Sequence, residues 1–408
     1  MAETYNNLIG GEWVPGADPI ANINPSDVTD TIGLYAQATA AQLDHAVAVA
    51  KDAQREWQKT GLEQRQQVLD AVGRELMDRS EELGRLLSRE EGKPLAEGKG
   101  EVFRAGQFFC YYAAEVLRQI GETADSVRPG IEIDIRREPM GVVAVISPWN
   151  FPIATASWKI APALAYGNAV IWKPANQTPA SAWALAEILT RVGLPMGTFQ
   201  LLMGPGAAIG NALVGHRDVD AVTFTGSYAV GRQVAAAVAG NLGKYQLELG
   251  SKNALLVMDD ADLDLAVAAA VSGGYSGTGQ KCTASSRLLV HSAVHDAFVD
   301  RLADALKSMK VGPALAPQTQ MGPVVSDTQL AANLRWMGQI KQSGARIVYG
   351  GERITLEQDG FYMTPALISE STNDMPFNRE EMFGPIAAVQ RIESYEEGLA
   401  VANDTDYG

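Results

Sequence analysis

The sequence predicts an α/β protein made of two parallel-sheet α/β domains, with a small β ribbon set into the first. Three observations predict it. The runs "GVVAVIS" (141–147) and "NAVIWK" (168–173) are continuously apolar, as strands buried on both faces must be. From Gly141 to Gly250 strand-like and helix-like segments alternate one for one, and a second alternation begins after Gly250. Such alternation places the strands in parallel, with crossover helices on both faces of the sheet. At 408 residues the chain is also too long for one ordinary core.

From Leu43 to about Leu117 the pattern is helical and charge-rich. "IEIDIRREP" (131–139) alternates polar and apolar residues, as an exposed strand ribbon does. After "GVVAVIS" a helical stretch runs to Ala165, then comes the "NAVIWK" strand. "TPASAWALAEILTRVG" (178–193) is a helix with proline near its start and glycine at its end. "TFQLLMG", "VDAVTFTG" and "YQLELG" are strands, separated by the helices "AAIGNALVGH" and "YAVGRQVAAAVAG". Beyond Gly250 the order is the strand "NALLVM", the helix "ADLDLAVAAAV", a loop around Cys282, the strand "SRLLVH" and the helix "HDAFVDRLADALKSM". The domain ranges are 1–122 with 142–250 for the first, 123–141 for the ribbon and 251–408 for the second.

Composition excludes several functions. A net charge of −15 argues against nucleic acid, whose phosphates want a basic face. The two long uncharged stretches, Met140–Trp158 and Val192–His216, are interrupted by prolines and glycines and predict no membrane span. "MAETYNNLIGGEW" has neither the basic start nor the apolar run of a secretory signal. Two cysteines imply no disulfide framework and a reducing, cytoplasmic setting. The four histidines, His45, His216, His291 and His295, form no metal cluster, so no metal is expected. His291 and His295 straddle a strand-to-helix junction and read as surface residues.

Five short stretches carry chemistry. In "GYSGTGQKCTAS" (274–285), Cys282 sits among glycines, hydroxyls and amides, with Lys281 directly before it. A free cysteine is usually a small buried hydrophobe; this polar loop, a neighbouring ammonium and helix dipoles are the setting that makes a nucleophilic thiolate. Cys110, in "GQFFCYYAAEVL", reads as core. "VTFTGSYAVGRQV" (222–234) is a strand, a tight turn at Gly226 and Ser227, and a helix packed through Gly231, which is either an ordinary turn or a pyrophosphate site. "IWKPANQTP" (171–179) puts Lys173 at a strand's carboxyl end, either snorkelling or holding ribose and phosphate. "SPWNFP" (147–152) fixes Asn150 between prolines, as a turn residue or as a neutral donor to an oxyanion. "QLELGSKN" (246–253) puts Glu248 in an apolar strand end, where a carboxylate is either salt-bridged or raised in pKa to act as a general base.

Taken together, "PWNFP", "KPANQTP", "FTGS", "LELGSKN", "GQKC" and "EEMFGP", in this order, resemble the NAD(P)-dependent aldehyde dehydrogenase superfamily over essentially the whole chain. The flanks "TPASAWALAEIL", "ELGSKNALLVMDDADLDLAV" and "CTASSRLLV" look most like the α-ketoglutaric semialdehyde (2,5-dioxopentanoate) dehydrogenases. The resemblance implies a Rossmann-like NAD(P)-binding first domain, an oligomerisation ribbon and a catalytic second domain. It implies Cys282 as nucleophile, Glu248 as base and Asn150, with the Cys282 N–H, as the oxyanion hole. Lys173 and Glu381 would hold the two riboses, Gly226 and Ser227 the pyrophosphate, with Trp149 and Phe383 near the nicotinamide end. The full-length form would be a homodimer or homotetramer.

Two departures follow. Asn176 stands where many NAD-preferring relatives have glutamate, so NADP should be accepted as well as NAD. The chain stops at "NDTDYG", where relatives continue; the second domain is expected to be incomplete, which puts its activity in question and leaves the ribbon with an unpaired edge. For the substrate, Lys281 either pairs with an ω-carboxylate or only tunes the thiol. A carboxylated semialdehyde is expected, with succinate or glutarate semialdehyde or a broad aldehyde range as alternatives. An inactive structural relative is the alternative from another class.

Overall fold

In the computed structural model, residues 3–118 and 120–407 are described. Met1, Ala2, Gln119 and Gly408, which fall within the domain ranges, the leader reading and the end motif above, lie outside them. The chain divides into two compact units, residues 1–22, 33–86 and 99–248, and residues 23–32, 87–98 and 249–408. Residues 23–32 and 87–98 thus cluster with the second unit. One reason lies at Gly92, where a Cβ would meet Pro25 and Pro323 at about 3.1 and 3.0 Å.

The first unit is built on a seven-stranded sheet. Its order is Lys244–Glu248, Ala221–Thr225, Val142–Ile146, Ala169–Lys173, Phe199–Leu201, Asn7–Ile9 and Glu12–Val14. The first five are parallel, and Asn7–Ile9 runs antiparallel to the strands on both its sides. Val142–Ile146 and Ala169–Lys173 are buried almost throughout, as their unbroken apolar runs require. From Val142–Ile146 the chain winds outward through Ala169–Lys173 to Phe199–Leu201. It then returns to add Ala221–Thr225 on the opposite side, so the winding reverses between the strands ending at Ile146 and Thr225. That reversal opens a crevice at the carboxyl ends of the two strands.

The long helical region resolves into four helices, Ala40–Trp57, Leu62–Asp78, Ser80–Glu91 and Leu95–Val116. Thr39 and Gln42 close a reciprocal capping box at the first. Cys110 is only partly buried, with its sulfur packed where a Cβ on Gly73 would come within 2.6 Å. The ribbon is an exposed antiparallel hairpin, Glu122–Asp125 with Glu132–Ile135. "AAIGNALVGH" forms a wide turn over Gly206–Gly210 and a short helix, Asn211–Val214.

The second unit has a five-stranded sheet in the order Asn253–Val257, Ser285–His291, Ile386–Ile392, Ala366–Ser369 and Arg346–Tyr349, antiparallel only at the last. Its core gathers Tyr275, Leu288, Phe298, Leu302 and Val389. His295, expected at the surface, is 1% exposed. On the helix Ser292–Ser308 it shares helical spacing with Phe298, Val299 and Leu302, which puts it on the apolar face. No described helix is long and apolar enough to cross a membrane.

Candidate functional site

In the first unit the register of the sheet brings the predicted residues to one edge. Ile146 pairs with Lys173 and with Phe224, and Thr225 pairs with Glu248. Asn150 therefore follows one strand of the crevice and Gly226 the other. Asn150 is 5% exposed, beside the half-buried Trp149.

Lys173 is 4% exposed. Its Nζ donates to its neighbour's carbonyl, Pro174 O, at 2.6 Å. Burial pulls its pKa down to about 8. Asn176, three residues on, is exposed. Gly226 is needed for a close approach, because a Cβ there would lie 2.5 Å from the Phe224 ring. Ser227 caps the helix Tyr228–Gly240, its Oγ accepting from Val230 N at 3.4 Å, and Gly231 is buried on that helix. A buried ammonium with donors to spare at one strand end, and a helix N-terminus at the end of another strand of the same sheet, suit the ribose and pyrophosphate of a dinucleotide.

Glu248 corrects the sequence reading. Its surroundings are polar and open, because it ends the edge strand and that strand is exposed almost throughout. It accepts from Gln246 Nε2 at 2.6 Å. Gln246 Oε1 in turn accepts from Thr223 Oγ1 at 2.5 Å and from Lys159 Nζ at 3.1 Å, and Lys159 also donates to Thr223 at 2.9 Å. Lys159 was not anticipated. Burial lowers its pKa to about 8, against the upward pull of Glu248. Its one sequence signal is a lone charge in the otherwise uncharged helix Ala154–Ala165. Lys159, Thr223, Gln246 and Glu248 line an open pocket with Tyr112 and Trp158.

In the second unit Cys282 is half-buried and follows a wound loop in which Gly277, Thr278 and Gly279 all have positive φ, 60°, 56° and 64°. Several bonds fix the loop. Asn253 Nδ2 donates to Cys282 O at 2.6 Å, Val325 N donates to Gln280 Oε1 at 3.0 Å, and Thr278 Oγ1 donates to Gly322 O at 3.2 Å. Asn253 closes the "LELGSKN" motif, so part of that motif serves to hold the cysteine loop. Lys281 donates to Ser276 Oγ at 2.6 Å and to Ser272 O at 3.1 Å, tying the end of one helix. Burial lowers its pKa, while Glu97 and Cys282 pull the other way.

Glu381, half-buried, accepts from Ser251 N at 3.1 Å, and burial raises its pKa. It fits only because residue 250 is glycine, where a Cβ would lie 2.0 Å from its Oε2. Lys252, 1% exposed, has no hydrogen-bond partner for Nζ among the described residues. Phe383 holds a strained φ of 54°, with its carbonyl accepting from Gln329 Nε2 at 2.8 Å.

Comparison with known proteins is consistent across sequence and structure. The chain is 40% identical to the α-ketoglutaric semialdehyde dehydrogenase of Bacillus subtilis, over 99% of this chain and 84% of that protein. Among solved structures, betaine aldehyde dehydrogenase of Staphylococcus aureus in complex with NAD+ superposes with a TM-score of 0.97 at 36% identity, covering 99% of this chain and 81% of the other. A 3,6-anhydro-L-galactose dehydrogenase in complex with NADP does so with a TM-score of 0.96 at 35% identity, covering 100% and 86%. The aldehyde dehydrogenase family model matches residues 13–408, and the chain belongs to that family.

Proposed function

We propose that this NAD(P)-dependent aldehyde dehydrogenase oxidises a short carboxylated semialdehyde, α-ketoglutaric semialdehyde foremost, to the acid. The 40% identity to the Bacillus subtilis enzyme, carried along nearly the whole chain, is the observation behind the substrate class. The first unit is the dinucleotide-binding part and the second carries the nucleophile.

An aldehyde carbon gives up hydride readily once a nucleophile has made it tetrahedral. The Cys282 thiolate adds to the carbonyl carbon, and the Asn150 amide with the Cys282 N–H stabilises the resulting oxyanion. Losing one such donor costs about 2.7–4 kcal/mol of barrier. Lys173 and Glu381 hold ribose hydroxyls, Gly226 and Ser227 the pyrophosphate, with Trp149 and Phe383 at the nicotinamide end; bound NAD(P) supplies the hydride acceptor. The thioester left on Cys282 is cleaved by water that Glu248 deprotonates. Gln246 orients that carboxylate, and Lys159 places a positive charge behind it.

Lys281 is committed to Ser272 and Ser276, which favours a role in shaping the loop and biasing the thiol over substrate anchoring. The exposed Ile131, Ile133 and Ile135 of the ribbon suit contact with further copies in a homodimer or homotetramer. A catalytic thiol that must stay reduced suits a reducing, cytoplasmic compartment.

The test is a panel of α-ketoglutaric, succinic and glutaric semialdehydes and butanal with both cofactors. α-Ketoglutaric semialdehyde should give the highest kcat/KM, and Cys282→Ser should abolish turnover. A preference for butanal overturns the substrate class, and turnover surviving in Cys282→Ser overturns the mechanism.

A further inference from the structure

A substrate with a carboxylate at the end remote from its aldehyde needs a cation, and a chain of net charge −15 must supply it locally. Three cations of the first unit belong to elements next to Asn150: Lys159 is on the helix that follows it, Lys173 on the strand paired with the one before it, and the third on a helix bonded to Ile153 N. Lys159 and Lys173 are buried and hydrogen-bonded, to Thr223 and Gln246 in one case and to Pro174 O in the other. The third is Arg104, on the helix Leu95–Val116. It is exposed, and among the described residues it makes no hydrogen bond or ion pair.

Its helix face is fixed at two points. Three residues before it, the Glu101 carboxylate Oε1 accepts from Ile153 N at 3.0 Å and Ala154 N at 3.2 Å, the backbone immediately after "PWNF". Four residues after it, Phe108 packs edge-on against Trp158, with ring centroids 5.7 Å apart. Residues three and four apart share a helix face. Arg104 thus stands on the stripe that runs along the chain from Ile153 to Trp158, about 4.5 Å of helix rise beyond Glu101. No ion pair joins Glu101 and Arg104 among the described residues, and Glu101 Oε1 accepts from the two backbone N–H groups.

We infer that Arg104 binds the substrate's remote carboxylate and sets the preference for acidic aldehydes. This rests on the carboxylated-semialdehyde reading above. The planar guanidinium pairs with a carboxylate through two parallel N–H donors, while the aldehyde oxygen is held at the Asn150 amide. The groups lining the same face, Phe108 and Trp158, are apolar and suit the methylenes between the two ends of such a substrate.

The experiment compares Arg104→Met, Arg104→Lys and Lys281→Met, using α-ketoglutaric semialdehyde and butanal, with urea midpoints to confirm folding. Arg104→Met should lower kcat/KM for the acidic aldehyde by about 10- to 100-fold, mostly in KM, and that for butanal by less than about 3-fold. Arg104→Lys should recover part of the loss. Glutarate, which cannot react, should inhibit the parent protein competitively and Arg104→Met at least about 10-fold less tightly. Equal losses on both aldehydes, unaltered inhibition by glutarate, or a selective loss in Lys281→Met in place of Arg104→Met overturns the assignment. If the parent protein shows no preference for the acidic aldehyde, the substrate reading itself fails before any variant is made.

Discussion

Asn176 sits exposed in the turn after the Lys173 strand, three residues beyond a buried ammonium. A neutral amide there does not repel a 2′-phosphate, so the protein should use NADP as well as NAD, with kcat/KM values closer than about 10³-fold. Asn176→Glu should lower kcat/KM for NADP by about 10-fold or more, through like-charge repulsion, and alter that for NAD by less than about 3-fold. Steady-state kinetics with both cofactors checks it, and equal losses would assign Asn176 to contacts that both cofactors share. At this scale the sequence was legible where placement is local: the glycines before Cys282 form a wound loop, and Asn150 lies between its prolines just past a buried strand. Lys159 was not legible, because its partners Thr223 and Gln246 are 64 and 87 residues away and only the sheet brings them together. Glu248 misled for the related reason that an apolar-looking strand proved to be the sheet's edge.

The loop before Cys282 shows what an element asks of its sequence. Gly279 has φ 64°, and a Cβ on it would meet Gly384 O at 2.2 Å. Gly344 has φ 88° with open space around it. Alanine at Gly344 should cost only the left-handed backbone, about 1–2 kcal/mol. Gly279→Ala adds a backbone clash and should cost more than about 2 kcal/mol. It should also change the rate at which iodoacetamide labels Cys282, whereas Gly344→Ala should not. Urea unfolding and alkylation kinetics on both variants measure this, and equal effects would mean that the loop yields to the added methyl. The winding of this loop was not readable, because a run of glycines permits many conformations. The parallel strands were readable, since "GVVAVIS" and "NAVIWK" need burial on both faces. The strands Thr4–Tyr5 and Ala17–Ile23 were missed: one has two residues, and the other carries Pro19 and Asn22 and is largely exposed.

Across the whole molecule, three buried lysines make stability depend on pH in an unusual direction. Burial lowers the pKa of Lys159 and Lys173 to about 8 and that of Lys252 to about 7, the last helped by Arg287. Each would titrate near 10.5 in the unfolded chain. Between pH 7 and 9 the unfolded chain therefore holds protons that the folded protein has shed. Stability then rises with pH, on the order of 1.4 kcal/mol per pH unit for each lysine already neutral in the fold. Above about pH 9 the trend is opposed by the Cys110 thiol and the Tyr275 and Tyr362 phenols, whose pKa values burial raises. The urea midpoint should be higher at pH 9 than at pH 7, and Lys252→Met should flatten that slope and unfold later than the parent protein at pH 7. Lys252 is costly to bury, yet its charge draws the Glu381 carboxyl back toward ionisation against the desolvation that raises it. The same variant should therefore gain stability and lose affinity, with a higher KM for NAD. A stability gain without a change in that KM would leave Lys252 as a residue of the core alone.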